Sequence, residues 1–197
     1  QPYFLPSANL LNAYEPTDFR YQMWFSKALY PVFMNGSYYN NIYVFVKYLG
    51  NPYLYSGDIE NGAHAAKPLK IAEMYLIAAE ASLALGNKEE AAELLNNIRK
   101  RSPNLEPATA ETVTVEMILN EKSKEFFQEG LRYFDRLRHG EKIEFNDEIM
   151  GIDCPHRDKI IDTKSYHKIV LPISVDELNA NPTLRTQQNP GYPAYTN

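Results

Sequence analysis

Residues 71–104 read IAEMYLIAAEASLALGNKEEAAELLNNIRKRSPN, and the spacing of their apolar side chains predicts two helices joined at one Gly-Asn. From Lys88 to Arg101 the residues Ala91, Ala92, Leu94, Leu95 and Ile98 recur at about 100° per residue, which is the stripe of a helix covered on one side. Asn87 is placed to cap the first turn with Glu90 three residues on. Glu89 and Glu90 sit at the positive end of the dipole, and Arg99–Arg101 sit at its negative end before Pro103. The segment 68–85 is of another kind. Ile71, Met74, Tyr75, Leu76, Ile77, Leu83 and the alanines leave little polar surface, so a helix there must be covered on several sides. Pro68 suits its first turn and Gly86 its left-handed end. The 34-residue block, with small alanines where two helices cross, has the length of a tetratricopeptide repeat. One such unit cannot bury its own faces, so its partner must lie elsewhere.

The natural partner is TVEMILNEKSKEFFQEGLRYFDRLRHG, residues 114–140, with Thr114 as a helix cap. On a helical wheel Leu119, Phe126, Phe127, Tyr133, Phe134 and Leu137 share one broad face. Gly130 falls within it at a cost of about 1 kcal/mol relative to alanine, which implies a close approach of another helix or a sharp re-aiming of the chain. Beside this face Glu121, Glu125, Glu129 and Arg132 form a polar strip, continued by Asp135 and Arg138. Three carboxylates at four-residue spacing raise the question of a metal cage or an acid/base pair. The Glu-x-x-His companion of di-iron bundles is absent and an arginine adjoins, so a structural ion-pair network is the preferred reading.

Farther out, composition narrows the function. The chain has 197 residues and a net charge of -5, with 44% apolar and 23% charged residues, the profile of one globular domain with no basic field for nucleic acid. No apolar run approaches the roughly 18 to 20 residues that cross a bilayer. Nothing at the N-terminus resembles a signal sequence, and an opening of QPYFLPSANL reads as the edge of a fragment. Cys154, the single cysteine, excludes an internal disulfide. Three regions follow from composition. Residues 1–66 are aromatic and loop-rich, with 16 of the 25 aromatic residues lying before residue 56; 67–140 form the helical core; 141–197 form a closing segment rich in turn residues. The fold class expected is mainly α, a tetratricopeptide-like helical scaffold with long aromatic-rich loops and a few short strands.

Three pieces in order carry a resemblance: IAEMYLIAAEASLALGN with AAELLNNIRKRS, then ILNEKSKEFFQEGLRYFDRLRHG, then HKIVLPISVDELNANPTLRTQQNPGY. Over roughly Lys67 to Tyr192 the chain resembles the C-terminal portion of the SusD/RagB family. Glu121, Glu125, Glu129, Gly130, Arg132, Tyr133, Asp135 and Arg138 occupy that family's Glu-Arg-x-x-Glu and Glu-Gly-x-Arg-Trp-x-Asp-x-x-Arg pattern, and Gln188 to Tyr192 match its terminal Gln-Asn-Pro-Gly-Tyr. Lys122, Tyr133 and Ser174 stand where Arg, Trp and Pro are usual. The resemblance implies a lipoprotein of the bacterial outer-membrane surface, made with a signal peptide, that binds a glycan or less often a peptide. It also implies a lid on a SusC-like TonB-dependent transporter, with no catalysis and no cofactor. The membrane would be met only through a lipid anchor that this chain lacks.

A sugar presents C–H faces and a hydroxyl rim, so its site needs exposed rings with amide or charged side chains beside them. Residues 18–55 supply both. Trp24, Tyr38, Tyr39, Tyr53 and Tyr55 are the expected stacking residues, with Asn35, Asn40 and Asn51 as polar companions. Tyr43, Phe45 and Tyr48, in the alternating NIYVFVKY, read instead as a short strand with one buried face. His139, His156, His167 and Cys154 are dispersed and lack zinc spacing, no activated nucleophile accompanies Asp135 and His139, and no carboxylate pair stands apart from the solvated majority. The function that the resemblance implies is capture of a starch- or other polysaccharide-type glycan without bond chemistry. The alternative is a helical scaffold that binds a protein or peptide.

Overall fold

The computed structural model describes residues 4–48, 67–144, 148–153, 160–162 and 170–193. The chain divides into two compact units, one of residues 1–129 with 147–154 and one of residues 130–146 with 155–197. The division falls at Gly130, a position that the compositional boundaries at 67 and 141 do not mark.

The first unit opens with α1 (Ala8–Asn12), whose Ser7 hydroxyl accepts the Leu10 amide at 3.2 Å, and α2 (Phe19–Trp24), capped by Asp18. The second helix runs without a loop into β1 (Phe25–Lys27). There follow β2 (Val32–Met34) and β3 (Ser37–Tyr39), paired with each other, and β4 (Tyr43–Phe45), which returns antiparallel to β1 with Phe25 opposite Phe45. The helical layer is α3 (Ile71–Ala84), α4 (Lys88–Arg99) and α5 (Val115–Glu125), each packed on the other two. Ala72, Leu76, Ala79, Ala91, Ala92, Leu95, Ile98, Ile118 and Leu119 make its interior. Alanine at four of these positions lets α3 and α4 approach closely, and each buried Leu or Ile contributes about 1.5–3 kcal/mol.

The second unit begins with α6 (Leu131–His139) and β5 (Lys142–Glu144). The short strands β6 (Glu148–Ile149) and β7 (Ile152–Asp153) pair within the first unit, near α1. The second unit resumes with β8 (Ile160–Asp162), antiparallel to β5, then α7 (Val175–Ala180) and a 3₁₀ turn (Pro182–Gln187). The Ser174 hydroxyl caps α7 at the Glu177 amide, and the Gln188 amide group ties the tail by exchanging hydrogen bonds with both main-chain polar groups of Ile173.

The chain is thus a mainly helical scaffold with short strands, as its periodicity predicts, and three local expectations are revised. The helix expected from Pro68 starts at Ile71. Asn87 makes no capping bond; its partner in the expected pair, Glu90, accepts from the Ser82 hydroxyl at 2.9 Å instead. The wheel drawn through 114–140 does not hold past Phe126. Gln128 and Gly130 both adopt positive φ, 66° and 76°, so the chain turns sharply and Phe134 emerges 65% exposed while Phe126 is buried. A Cβ at Gly130 would meet nothing within 4 Å, so the glycine serves the turn and not a close helix approach.

Candidate functional site

The aromatic segment is held to the helical layer by buried charge. Arg20, wholly buried on α2, places its guanidinium 2.7 Å from Asp18, 2.6 Å from Glu121 and 3.0 Å from Glu125. Helical spacing puts Glu121 and Glu125 one turn apart on the same face of α5, so one planar fork meets both. Arg101 also pairs with Glu125, Lys124 lies 2.7 Å from Glu121, and the Ser102 hydroxyl donates to Asp18 at 2.5 Å. Burial alone would raise the Asp18 carboxyl, but hydrogen bonds from Arg20 and Ser102 outweigh it and hold the group below its ordinary range. The Tyr14 hydroxyl donates to the Lys124 carbonyl at 2.5 Å, and burial pushes its ionisation far up.

A second anchor sits at the end of α5. Lys47 Nζ donates to the carbonyls of Glu125 (2.6 Å) and Phe127 (3.2 Å) and to Glu129 (2.7 Å), which Lys70 and the Tyr48 hydroxyl also meet at 2.5 and 2.8 Å. Burial would raise the Glu129 carboxyl, yet these donors lower it, whereas burial lowers the Lys47 ammonium despite its carboxylate partner. The same ammonium lies 4.5 Å from the centroids of both Trp24 and Phe127. Phe127 stacks on Phe25 at 5.1 Å and on Phe45 at 5.3 Å, while Tyr14 meets Phe25 edge-on at 5.4 Å. The β1–β4 pair, lengthened by bonds from Ala28 N–H to Ile42 and from Val46 N–H to Trp24, is therefore a clamped aromatic base.

From that base the chain makes an excursion between Ala28 and Ile42. Its hairpin turns on Asn35 and Gly36, both at positive φ (48° and 81°), the two-residue geometry whose twist matches that of paired strands. Phe33 and Tyr38 stand directly opposite each other in the register, with ring centroids 5.0 Å apart and planes at 53°. Tyr38 is 73% exposed and Phe33 43%, and Leu29 and Tyr30 are exposed nearby in sequence. Val32, on the other face of the hairpin, is buried. The result is a ring pair set out in solvent on a short, braced support.

Of the expected ligand residues, Tyr38, Tyr39 and Asn35 share this hairpin and Asn40 follows it; Tyr39 is half-buried and the two asparagines are exposed. Trp24 belongs to the base, half-buried against Phe127. Tyr53, Tyr55 and Asn51 lie outside the described residues. The expected ion-pair residues separate, among the described residues, into distinct groups: Glu121 and Glu125 on Arg20, Glu129 on Lys47 and Lys70, Arg132 on Glu141 at 3.2 Å, and Arg138 on Asp135 at 2.6 Å. Sequence reasoning missed Asp18 and Arg20: the Arg20 partners Glu125 and Glu121 lie 105 and 101 residues away, and Ser102, which donates to Asp18, lies 84 away. It also missed Phe33, which the Asn-Gly between alternating residues signals. No group of three metal-ligating side chains occurs among the described residues.

The sequence model of the SusD family matches residues 9–192. Among solved structures, a SusD superfamily protein from Bacteroides vulgatus ATCC 8482 is 32% identical at a TM-score of 0.69, over 91% of this chain and 37% of that one. A candidate sugar binding protein from the same strain is 30% identical at a TM-score of 0.64, over 93% and 38%. A SusD superfamily protein from Bacteroides thetaiotaomicron VPI-5482 is 29% identical at a TM-score of 0.74, over 93% and 40%. The chain thus spans 37 to 40% of the length of these structures. No curated protein matches it.

Proposed function

The chain belongs to the SusD family, and from that premise we propose that it takes part in capturing a glycan at the bacterial cell surface, with Phe33 and Tyr38 as the stacking platform. The pyranose C–H face lies on the exposed rings while Asn35 and Asn40 amides meet the hydroxyl rim, so recognition is non-covalent and no bond is made or broken. In the whole protein the ligand is an oligosaccharide of starch or another polysaccharide, passed to a SusC-like TonB-dependent transporter. The protein itself is held at the outer membrane by a lipid anchor.

One observation carries this reading. An aromatic residue on a braced hairpin leaves 73% of its surface in water, whereas large rings are ordinarily buried for most of their area. Replacing Tyr38 by Ala is expected to weaken binding to immobilised oligosaccharides about two- to twelvefold, the value of one ring contact of roughly 0.5–1.5 kcal/mol, with the thermal midpoint unchanged. Equal binding by Tyr38→Ala and the parent removes the platform. A second reading, a surface for a protein or peptide, draws on Leu29, which is 93% exposed and offers nothing to a hydroxyl. Leu29→Ser separates the two, leaving glycan binding intact and lowering capture of a protein partner.

A further inference from the structure

The excursion that carries the ring pair is almost free of charge. From Tyr21 to Val46 the sequence holds one charged residue, Lys27, and from Ala28 to Ile42 it holds none. The cations at its borders are engaged within the base. Arg20 is wholly buried among three carboxylates, and the Lys47 side chain, 4% exposed, is bonded to Glu129 and two carbonyls. The Lys27 ammonium lies 6.0 Å from the ring centroid of Tyr43, its cross-strand neighbour. β2 and β3 pack on each other, and no other helix or strand among the described residues makes more than a marginal contact with them. The polar character of the tip is therefore set chiefly by its own residues.

What the tip offers besides rings is neutral. Asn35, Ser37, Asn40 and Asn41 are exposed there, and an amide or hydroxyl group both donates and accepts. That matches a sugar hydroxyl, which also does both, whereas a carboxylate or sulfate only accepts and meets each amide oxygen as a second acceptor. A charged group also sheds water as the sugar closes on the rings, and no cation of the excursion takes the place of that water. The net charge of -5 opposes its approach as well. Resting on the reading of Phe33 and Tyr38 as a glycan platform, we propose that this platform selects by charge: it takes glycans built of uncharged sugars and rejects those bearing uronate carboxylates or sulfate groups.

The test sets neutral malto-, cello- and manno-hexasaccharides beside the same sugars after oxidation of their primary hydroxyls to carboxylates, each titrated into the 197-residue chain. The two members of a pair share their backbone and ring faces, so their difference reads the charge. At least one neutral form is expected to bind about tenfold or more tighter than its oxidised twin. That affinity is expected to hold from ~50 to ~500 mM salt. Asn40→Lys, which puts a cation two residues from Tyr38, is expected to raise affinity for the oxidised twin at ~50 mM salt and to lose the gain at ~500 mM. Equal or tighter binding of the oxidised twin, a neutral affinity that falls with salt, or no gain from Asn40→Lys overturns selection by charge and leaves the platform standing as long as Tyr38→Ala weakens binding. If no member of any pair binds, or Tyr38→Ala binds as the parent does, the platform falls and the inference with it.

Discussion

Replacing Arg20 by Met tests the anchoring of the aromatic segment most directly. The guanidinium is wholly buried and holds three carboxylates at 2.6–3.0 Å. Methionine fills much of the same volume but leaves those carboxylates without their shared cation. Glu125 keeps Arg101, Glu121 keeps Lys124 and Asp18 keeps the Ser102 hydroxyl, so the loss is that of one broken buried pair, about 3–5 kcal/mol, and not several times that. For a chain of this size that is a fall of roughly 6–20 °C in the unfolding midpoint. The sign with pH is also fixed. The depressed Asp18 carboxyl contributes stability above its ordinary 3.8 and loses that contribution as pH falls through its lower folded value. The variant lacks the cation that depresses it, so the two stability curves converge in acid. Denaturant unfolding followed by the emission of Trp24, the single tryptophan, is the assay. The triple variant Arg20→Met, Asp18→Asn, Glu121→Gln should recover part of the loss, since buried charge without a partner is what destabilises. A loss under about 1 kcal/mol at neutral pH, or one equally large near pH 3, refutes the assignment of Arg20 as the anchor.

Further expectations concern the second anchor, the hairpin and the helical core. Glu129, lowered from 4.5 by Lys47, Lys70 and Tyr48 against its burial, contributes stability above that value and loses it as pH falls through its folded value. Glu129→Gln should flatten the acid limb of the stability curve, and an unchanged limb counts against the anchor. Lys47→Met removes a cation from between Trp24 and Phe127 and should shift Trp24 emission while lowering stability by about 1–3 kcal/mol. A Cβ at Gly36 meets nothing within 4 Å, but Gly36→Val forces a β-branched residue to φ 81°, a penalty of about 1–2 kcal/mol. Oligosaccharide binding should fall although both rings remain, and full retention would show that the turn does not hold the platform. Leu76→Ala, in the interior of α3, should cost about 2–5 kcal/mol in chemical unfolding and leave ligand affinity alone.

The helical layer was legible because its signals are local. The stripe of α4 needs only one covering face, whereas α3 is apolar all round, burying Ala72, Leu76 and Ala79 and exposing Ile71, Met74 and Ile77. The anchors were not legible for the converse reason. Asp18 and Arg20, two residues apart in TDFRYQMW, look like ordinary solvated charges, and nothing nearby names partners at 121 and 125. The same carboxylates read as partners of Arg132 only while the helix is taken to continue. Once Gln128 and Gly130 turn the chain, Arg132 goes with Glu141 and the acidic pair is left for Arg20. The hairpin lay between these cases, since Asn35-Gly36 is a local signal, but the facing of Phe33 and Tyr38 needs the register as well.

The bracing of the hairpin bears on binding at the candidate site. Ordering a flexible ring on a loop would subtract side-chain and backbone entropy from any binding energy, on the order of 1–2 kcal/mol per residue fixed. Here the entropy of the excursion is settled on folding, because its two ends are paired at Ala28 and Ile42 and the strands beyond them are clamped by stacked rings and buried charge. The buried charges lie in the base and the exposed rings at the tip, so substitutions in the two places are expected to separate: those at Arg20 or Lys47 should move stability first, and those at Tyr38 the affinity alone. A base substitution that lowered affinity without lowering stability would break this separation, and with it the argument that the platform is preorganised.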